Sequence, residues 1–593
     1  MPPSPPGNHG LRTLSLAREH ADGPSCPGKD LPLDLELLLA HADDHRPVLG
    51  SGLSADTLRH LDDTARESPL PTHLWDPGGD PNDLAAQRWG VIAPEGPEGD
   101  RLLAVLEPLR RWREQQQGAP AACYRVPPGM DGSQATRWKN TVLRDESTAE
   151  KEWPRYLLLL GDLDQVSLEL QQSLGGDAFV GRLAFRDERH LATYVDKVLR
   201  WERAPSPETR ARSLFFTAHD QTPATLLGYR FLMSPSLEAV RTRQARGDFA
   251  ADIQEVGTPH DWSPQELLDQ VASTRPGVLL SVSHGLGAPR RGWPDANEQR
   301  ALQGAMSLGR ESLTAADVAT RPFLPGGLWV YLACFGGGTP HLSQYFHWLQ
   351  RLRDLGAKAE NPGAVLASLP RAGEPPFTAA LPQAALANPQ GPLAVVAHVD
   401  LAWVYGFMDL DATTAARGRP SRFLGLLREL VEGRRVGVGL SALLRFATEA
   451  NLELTLLEDQ EVSRRTAGRA PEKEGTRRGH LWMMRQDVSG YVLLGDPAVR
   501  LPLTPPARAT APSFSDAASL LGLPTPAVTP GASASGPDVR TMEDAVVELM
   551  TGAEAPKVLA ARLGVSLAEL RHWERVFREA GRAALAALPR SRG

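Results

Sequence analysis

Two stretches decide the fold: GVLLSVSHG at residues 277–285 and LWVYLACFGGG at residues 328–338. Each opens on a short apolar run without strict alternation, the pattern of a strand covered on both faces. Each run ends in a reactive side chain, His284 in the first and Cys334 in the second. Glycine follows: Gly285 directly after the histidine, and Gly336, Gly337 and Gly338 shortly after the cysteine. In open α/β sheets, sites form outside the carboxyl ends of the strands, so both side chains fall where a site belongs.

Working outward, further strands of the same kind appear. WGVIAP (89–94), ACYRVP (122–127) and YLLLLGD (156–162) alternate with helical segments at 101–117 and 133–143. In the first helix Leu102, Val105, Leu106, Leu109 and Trp112 share a face, and Pro108 is expected to kink it. SLFFTAHD (213–220), the two stretches quoted first, PLAVVAHVD (392–400) and GYVLLGDPAVRLP (490–502) form a second series. Helices are expected near 223–243, 264–273, 421–433 and 439–458. Alternation of this kind predicts an α/β fold with mostly parallel sheets flanked by helices.

The 593 residues predict several units. Residues 1–84 read as a largely irregular N-terminal region whose one apolar patch, LPLDLELLLAHA (31–42), is expected to be helical. An N-terminal α/β subdomain (85–204) precedes a catalytic subdomain (205–505). A Pro/Ala/Ser-rich linker (506–540) leads to a small all-α module (541–593). Residues 355–390, rich in Pro and Ala, read as a long surface loop; an activation loop is the functional alternative.

Composition narrows the class. Apolar residues make up 41% and charged residues 23%, ordinary for a globular protein, and the net charge of -7 gives no global attraction to nucleic acid or anionic membrane. Cys26, Cys123 and Cys334 are too few and too scattered for a disulfide framework or a CxxC metal pair, and they fit a reducing compartment. Cys123, on an apolar strand, is expected to be a buried small hydrophobe. The opening MPPSPPGNHG lacks the marks of a secretory signal, and no stretch approaches the roughly 20 apolar residues of a membrane span. A cytoplasmic protein without cofactor, metal or membrane partner is expected. His219–Asp220 and His398–Val399–Asp400 lack companions at ligand spacing and read as strand-end polar residues.

The pair His284 and Cys334 suits nucleophilic catalysis. A thiol is largely protonated at neutral pH, and an adjacent imidazole gives access to the thiolate. The backbone N–H groups of Gly285 and Cys334 are candidate oxyanion donors, because glycine lets a substrate backbone approach closely.

Strand-His-Gly followed by strand-Ala-Cys resembles the clan of caspases, gingipains and bacterial CHAT proteases. The flanks strengthen the likeness to gingipains: GDLDQVSLELQQSLGGDAFVGRLAF (161–185), YVDKVLRWE (194–202), HVDLAW (398–403) and LLGDPAVRL (493–501) occur in that family's order over roughly residues 85–505. The resemblance implies a cysteine endopeptidase acting on proteins or peptides. Cys334 would be the nucleophile, His284 the proton donor to the leaving amine, and Gly285 with Cys334 the oxyanion hole. It places Trp403 over the P1 side chain and Val282 in the same pocket. It matches Asp164 to the acid that favours a P1 Arg or Lys through a charge-assisted hydrogen bond; an aspartate there also suits a turn cap. A basic P1 would make Lys358 and Arg371 candidate self-cleavage sites. The segment between the Gly-Asp turn and Asp164 is shorter than in the family, so the His-orienting carboxylate has no assigned counterpart; Asp162 is a candidate. The insertion APRRGWPDANEQRALQ (288–303) lengthens the His-to-Cys separation.

LAARLGVSLAELRHW (559–573) resembles a helix-turn-helix, with Arg571 and His572 on the second helix. Eight Lys/Arg against seven Asp/Glu over 541–593 leave only +1, a poor footprint for DNA. A protein adaptor role therefore ranks above DNA binding for this module. Two other functions remain: a DNA-linked regulator with a caspase-like docking domain, and acyl transfer or ligation by the same Cys/His pair. A place in bacterial signalling or defence is an expectation by analogy alone.

Overall fold

The apolar runs form the strands of one large sheet. The computed structural model describes residues 36–54, 57, 80–145, 147–204, 207–257, 262–355, 362–371, 373–411, 414–468 and 475–504, with positions 560, 563, 565, 570 and 573 near the C-terminus. The chain divides into a unit spanning Met1–Ala507 and a second spanning Arg508–Gly593.

In the first unit ten strands share a sheet. They are β1 (Trp89–Pro94), β2 (Ala122–Val126), β3 (Tyr156–Leu160), β4 (Phe179–Leu183), β5 (Ala211–Thr217), β6 (Ala251–Val256), β7 (Gly277–Val282), β8 (Leu328–Leu332), β9 (Ala394–His398) and β10 (Tyr491–Gly495). Their order across the sheet is β2-β1-β3-β4-β10-β9-β8-β7-β5-β6. Every pairing is parallel except β9 with β10. The expected sheets are thus one continuous sheet, its strand direction reversing at the β9/β10 seam. The last strand of the sheet, β10, completes the block begun by β1–β4.

Central strands are buried along their whole length; β3 and β8 expose no residue. Each fully buried leucine there contributes roughly 1.5–3 kcal/mol. The edges differ. Cys123, expected in the core, is exposed on the edge strand β2, because that strand has a partner on one side only. Helices cover both faces. Pro108 lies inside the helix Pro97–Gln117 without ending it. The expected helix at 133–143 is a short α-helix, Gly132–Trp138, running into a π-helical turn, Lys139–Leu143. The N-terminus of this short helix carries a capping box between Asp131 and Gln134.

Two expectations are corrected. The described part of LPLDLELLLAHA is extended, not helical: Leu39–His41 is a strand pairing in parallel with Gly285–Gly287. Leu37, Leu38, Leu39 and Ala40 are all buried, and neighbouring segments satisfy their backbone groups, so tertiary contact overrides local propensity. Residues 355–390 are not a bare loop either. Among their described residues, Pro362–Ser368 and Ala380–Ala387 are helices, and Phe377–Thr378 pairs with Gly338–Thr339. Two of the prolines that suggested a loop, Pro362 and Pro382, sit in first helical turns, where a missing N–H costs little. Arg371 is exposed; Lys358 lies outside the described residues.

In the second unit, Ala560 and Leu570 are buried and pack with Leu563, Val565 and Trp573, and the Val565 N–H donates to the Ala560 carbonyl. The linker (506–540) and the helix-turn-helix reading lie outside the described residues. Among the described residues no helix is long and apolar enough to cross a membrane.

Candidate active site

Three adjacent parallel strands, β5, β7 and β8, end level with one another. Val282 of β7 is in register with Thr217 of β5 and with Leu332 of β8. The chain beyond each strand end then delivers one polar residue: Asp220, His284 and Cys334. All three are within a few residues of that shared register, so the topology gathers them at one carboxyl edge.

His284 is fully buried. Its Nε2 lies 2.8 Å from Thr222 Oγ1 and 3.7 Å from Asp220 Oδ2. The Thr222 hydroxyl carries a single proton and donates it to Asp220 Oδ1 at 2.9 Å. It therefore accepts from the imidazole, which places the ring proton on Nε2. The same carboxylate oxygen accepts from the Thr222 N–H at 3.1 Å and from Thr225 Oγ1 at 2.5 Å. His284 Nδ1 is left buried with no hydrogen-bond partner among the described residues, its lone pair free. Burial lowers the imidazole pKa and Asp220 opposes that shift; a neutral ring results.

Cys334 is also fully buried. Its Sγ accepts from the Ala402 N–H at 3.2 Å. Burial pushes its pKa well above the ordinary thiol value. Backbone hydrogen bonds from Ala402 and Leu38 pull the other way, and the nearby Asp487 and Asp400 add to the rise. The residue that follows, Phe335, has φ +56°, and Asp400, whose carbonyl accepts the Phe335 N–H at 2.7 Å, has φ +132°. Such backbone strain clusters at functional sites.

The N–H groups of Gly285 and Cys334 converge on a single acceptor, the Leu38 carbonyl, at 3.0 and 3.2 Å. A Cβ on residue 285 would stand 1.9 Å from the Cys334 carbonyl oxygen, so only glycine allows this approach.

The other candidates are placed differently. Trp403 is buried; its ring packs edge-on against Tyr345 and Trp348, each with centroids 5.8 Å away, and its backbone N–H donates to Asp487. Its backbone forms an antiparallel bridge with Leu37. Val282 is buried and faces Gly228 of the helix Pro223–Gly228. Asp164 pairs with Arg186 at 3.1 Å. Asp162 accepts from Arg186 and from the Leu163 and Thr378 N–H groups. Asp220, and not Asp162, is the carboxylate beside His284. Its signal was an apolar strand, SLFFTAHD, ending in a carboxylate as its neighbours end in His and Cys.

No family model and no curated protein matches this sequence. Among solved structures, the chain is similar to the Arg-specific cysteine proteinase gingipain R (RGPB), at 12% identity and TM-score 0.40, covering 73% of this chain and 80% of that one. It is similar to a complex of Porphyromonas gingivalis RgpB pro- and mature domains at 13% identity and TM-score 0.38, covering 70% and 79%. A structure described only as a protease gives 12% identity and TM-score 0.38, covering 70% and 78%. These similarities are weak, and the site stands on its own geometry.

Proposed function

We propose that this protein is a cysteine peptidase of caspase-like type acting on protein or peptide chains. One observation carries the reading: two backbone N–H groups, from Cys334 and from the residue after His284, converge on a peptide carbonyl. That is the arrangement an oxyanion hole requires. In the proposed reaction the Cys334 thiol gives its proton to His284 Nδ1, and the thiolate adds to the scissile carbonyl. The negative oxygen is held by the Gly285 and Cys334 N–H groups. The tetrahedral adduct collapses as the imidazolium protonates the leaving amine, and water then hydrolyses the thioester. Asp220, through Thr222, fixes the ring with its proton on Nε2.

The neutral thiol and neutral imidazole favoured by burial are the starting pair for such a transfer. A preference for a P1 Arg or Lys gains little support from Asp164, whose carboxylate already faces Arg186.

The test compares wild type with Cys334→Ala on peptides carrying Leu, Arg, Lys or Asp at P1, both in the full chain and in a Leu38→Asp background. Wild type is expected to exceed Cys334→Ala by at least about 10³-fold, roughly 4 kcal/mol of barrier. Equal rates overturn the reading. Mass analysis of the products separates hydrolysis from ligation.

A further inference from the structure

The acceptor held by the two N–H groups belongs to the protein itself. The inference drawn from it rests on the peptidase reading. We propose that residues 36–41 trace the register of a substrate, with Leu38 in the P1 position, so that the cleft takes an apolar residue of leucine size before the cleaved bond rather than a basic one.

The backbone is held on both sides of that bond. On the amino side, the Leu38 N–H donates to the Ala402 carbonyl at 3.4 Å, and Leu37 bridges Trp403 in antiparallel sense. On the carboxyl side, Leu39, Ala40 and His41 pair in parallel with Gly285, Leu286 and Gly287. Ladder bonds flanking a fixed carbonyl are how an extended peptide is held by strand addition. The Leu38 carbonyl sits between the Gly285 and Cys334 N–H groups, so Leu38–Leu39 is the bond presented to Cys334.

The side chains carry the specificity. Leu37 and Leu38 are each 1% exposed and Leu39 is fully buried. Leu39 packs on Gly287, where an added Cβ would stand 2.7 Å from its Cδ1. The two carboxylates nearest Cys334 on this side, Asp400 and Asp487, are held by backbone N–H groups. Asp400 accepts from the Gln344 and Leu401 N–H groups, and Asp487 from the Trp403 and Gly406 N–H groups. Asp162 and Asp164 share Arg186. A Lys or Arg in place of Leu38 would have to bury its charge here, which is penalised heavily, whereas a leucine side chain gains from the same burial.

The experiment uses the full chain and three peptidyl acyloxymethyl ketones: Glu-Leu-Leu, copied from residues 36–38, and its P1 Arg and P1 Lys counterparts. Each alkylates a competent cysteine. The new bond joins Sγ to the methylene carbon, the acyloxy group leaves as a carboxylate, and the thiol proton passes to His284. Labelling of Cys334 is followed by peptide mass mapping in wild type, Leu38→Asp and Leu38→Gly, with thermal melts to confirm folding. The leucine probe is expected to label Cys334 at least about 10-fold faster than the basic probes. Both Leu38 variants are expected to raise its rate at least about 10-fold as the segment loses its seat. Equal or faster labelling by an Arg or Lys probe overturns the inference and leaves the peptidase reading intact. An unchanged leucine-probe rate in both folded variants overturns it too. Failure of every probe in every variant, with no peptide hydrolysed, removes both.

Discussion

Two buried polar clusters in this molecule are built to opposite rules. Around Arg113 every charge is answered. Its guanidinium, fully buried, meets Asp496 at 2.8 Å and Glu202 at 2.7 Å. The Trp89 indole N–H donates to Asp496, and the Asp496 N–H donates to the Tyr194 hydroxyl. Around His284 the account is incomplete: Nδ1 and Asp220 Oδ2 are buried without a hydrogen-bond partner among the described residues. A cluster with every atom partnered fixes the helix Pro97–Gln117 to the turn after β10. A cluster with unpartnered atoms gives up stability; on the proposed peptidase reading, the missing partner is present only during reaction.

The largest expected effect breaks the first cluster. Arg113→Met removes the cation and strands two buried carboxylates. The expected loss is about 3–5 kcal/mol, since removing one member of a buried ion network leaves the others uncompensated. Urea or thermal unfolding measures it. A loss below about 1 kcal/mol would mean that the cluster is solvated and the contrast with His284 is false.

A smaller effect sharpens the second cluster. Asp220→Asn keeps the shape but weakens the hold on Thr222 and removes the negative charge beside the ring. Peptide or probe turnover at Cys334 is expected to fall by roughly 10-fold to 100-fold, less than loss of the base itself. The pH profile distinguishes positioning from mere packing. Asp220 raises the His284 pKa against the lowering by burial, so its removal moves the acid limb to lower pH. A profile that keeps its shape while the rate falls would assign Asp220 a structural role only.

The contrast also explains what the sequence made readable. Apolar strands of five or six residues announced themselves, because burial on both faces leaves a continuous run. His284, Gly285 and Cys334 were legible because each sits just beyond such a run, and the structure brings the Gly285 and Cys334 N–H groups onto one carbonyl. Asp220 was equally well placed, but its His–Asp pairing reads as ordinary strand-end polarity until β5 is known to lie beside β7. The Leu37–Ala40 segment was misread for a related reason. Four successive apolar residues have no period, and only the strands that flank them decide between helix and strand. The continuity of the sheet across β9 and β10 was illegible too, since a last strand that returns to the first block is a matter of topology rather than of composition.

The effect expected to be smallest near pH 5 tests a wall of the cleft. Asp487 accepts from the Trp403 and Gly406 N–H groups, and burial raises its pKa to about 8. His398, beside it, is lowered to about 4 by burial and is neutral across the working range, while Arg422 works weakly against the rise. The folded state therefore binds a proton that the unfolded state releases near pH 4. Between that pH and about 8 the folded protein holds more protons, so stability falls as pH rises through this window, by at most about 1.4 kcal/mol per pH unit. Asp487→Asn cannot titrate and offers one oxygen where the carboxyl offered two. Near pH 5 it is expected to be less stable than wild type by about 1 kcal/mol, one hydrogen bond. That deficit should shrink or reverse by pH 8.5 as wild type is forced to bury a charge. Melting temperatures at both pH values check the crossing. Parallel curves would show that Asp487 is ionised throughout, and the cleft wall behind Trp403 would then hold a buried negative charge within reach of a cationic side chain.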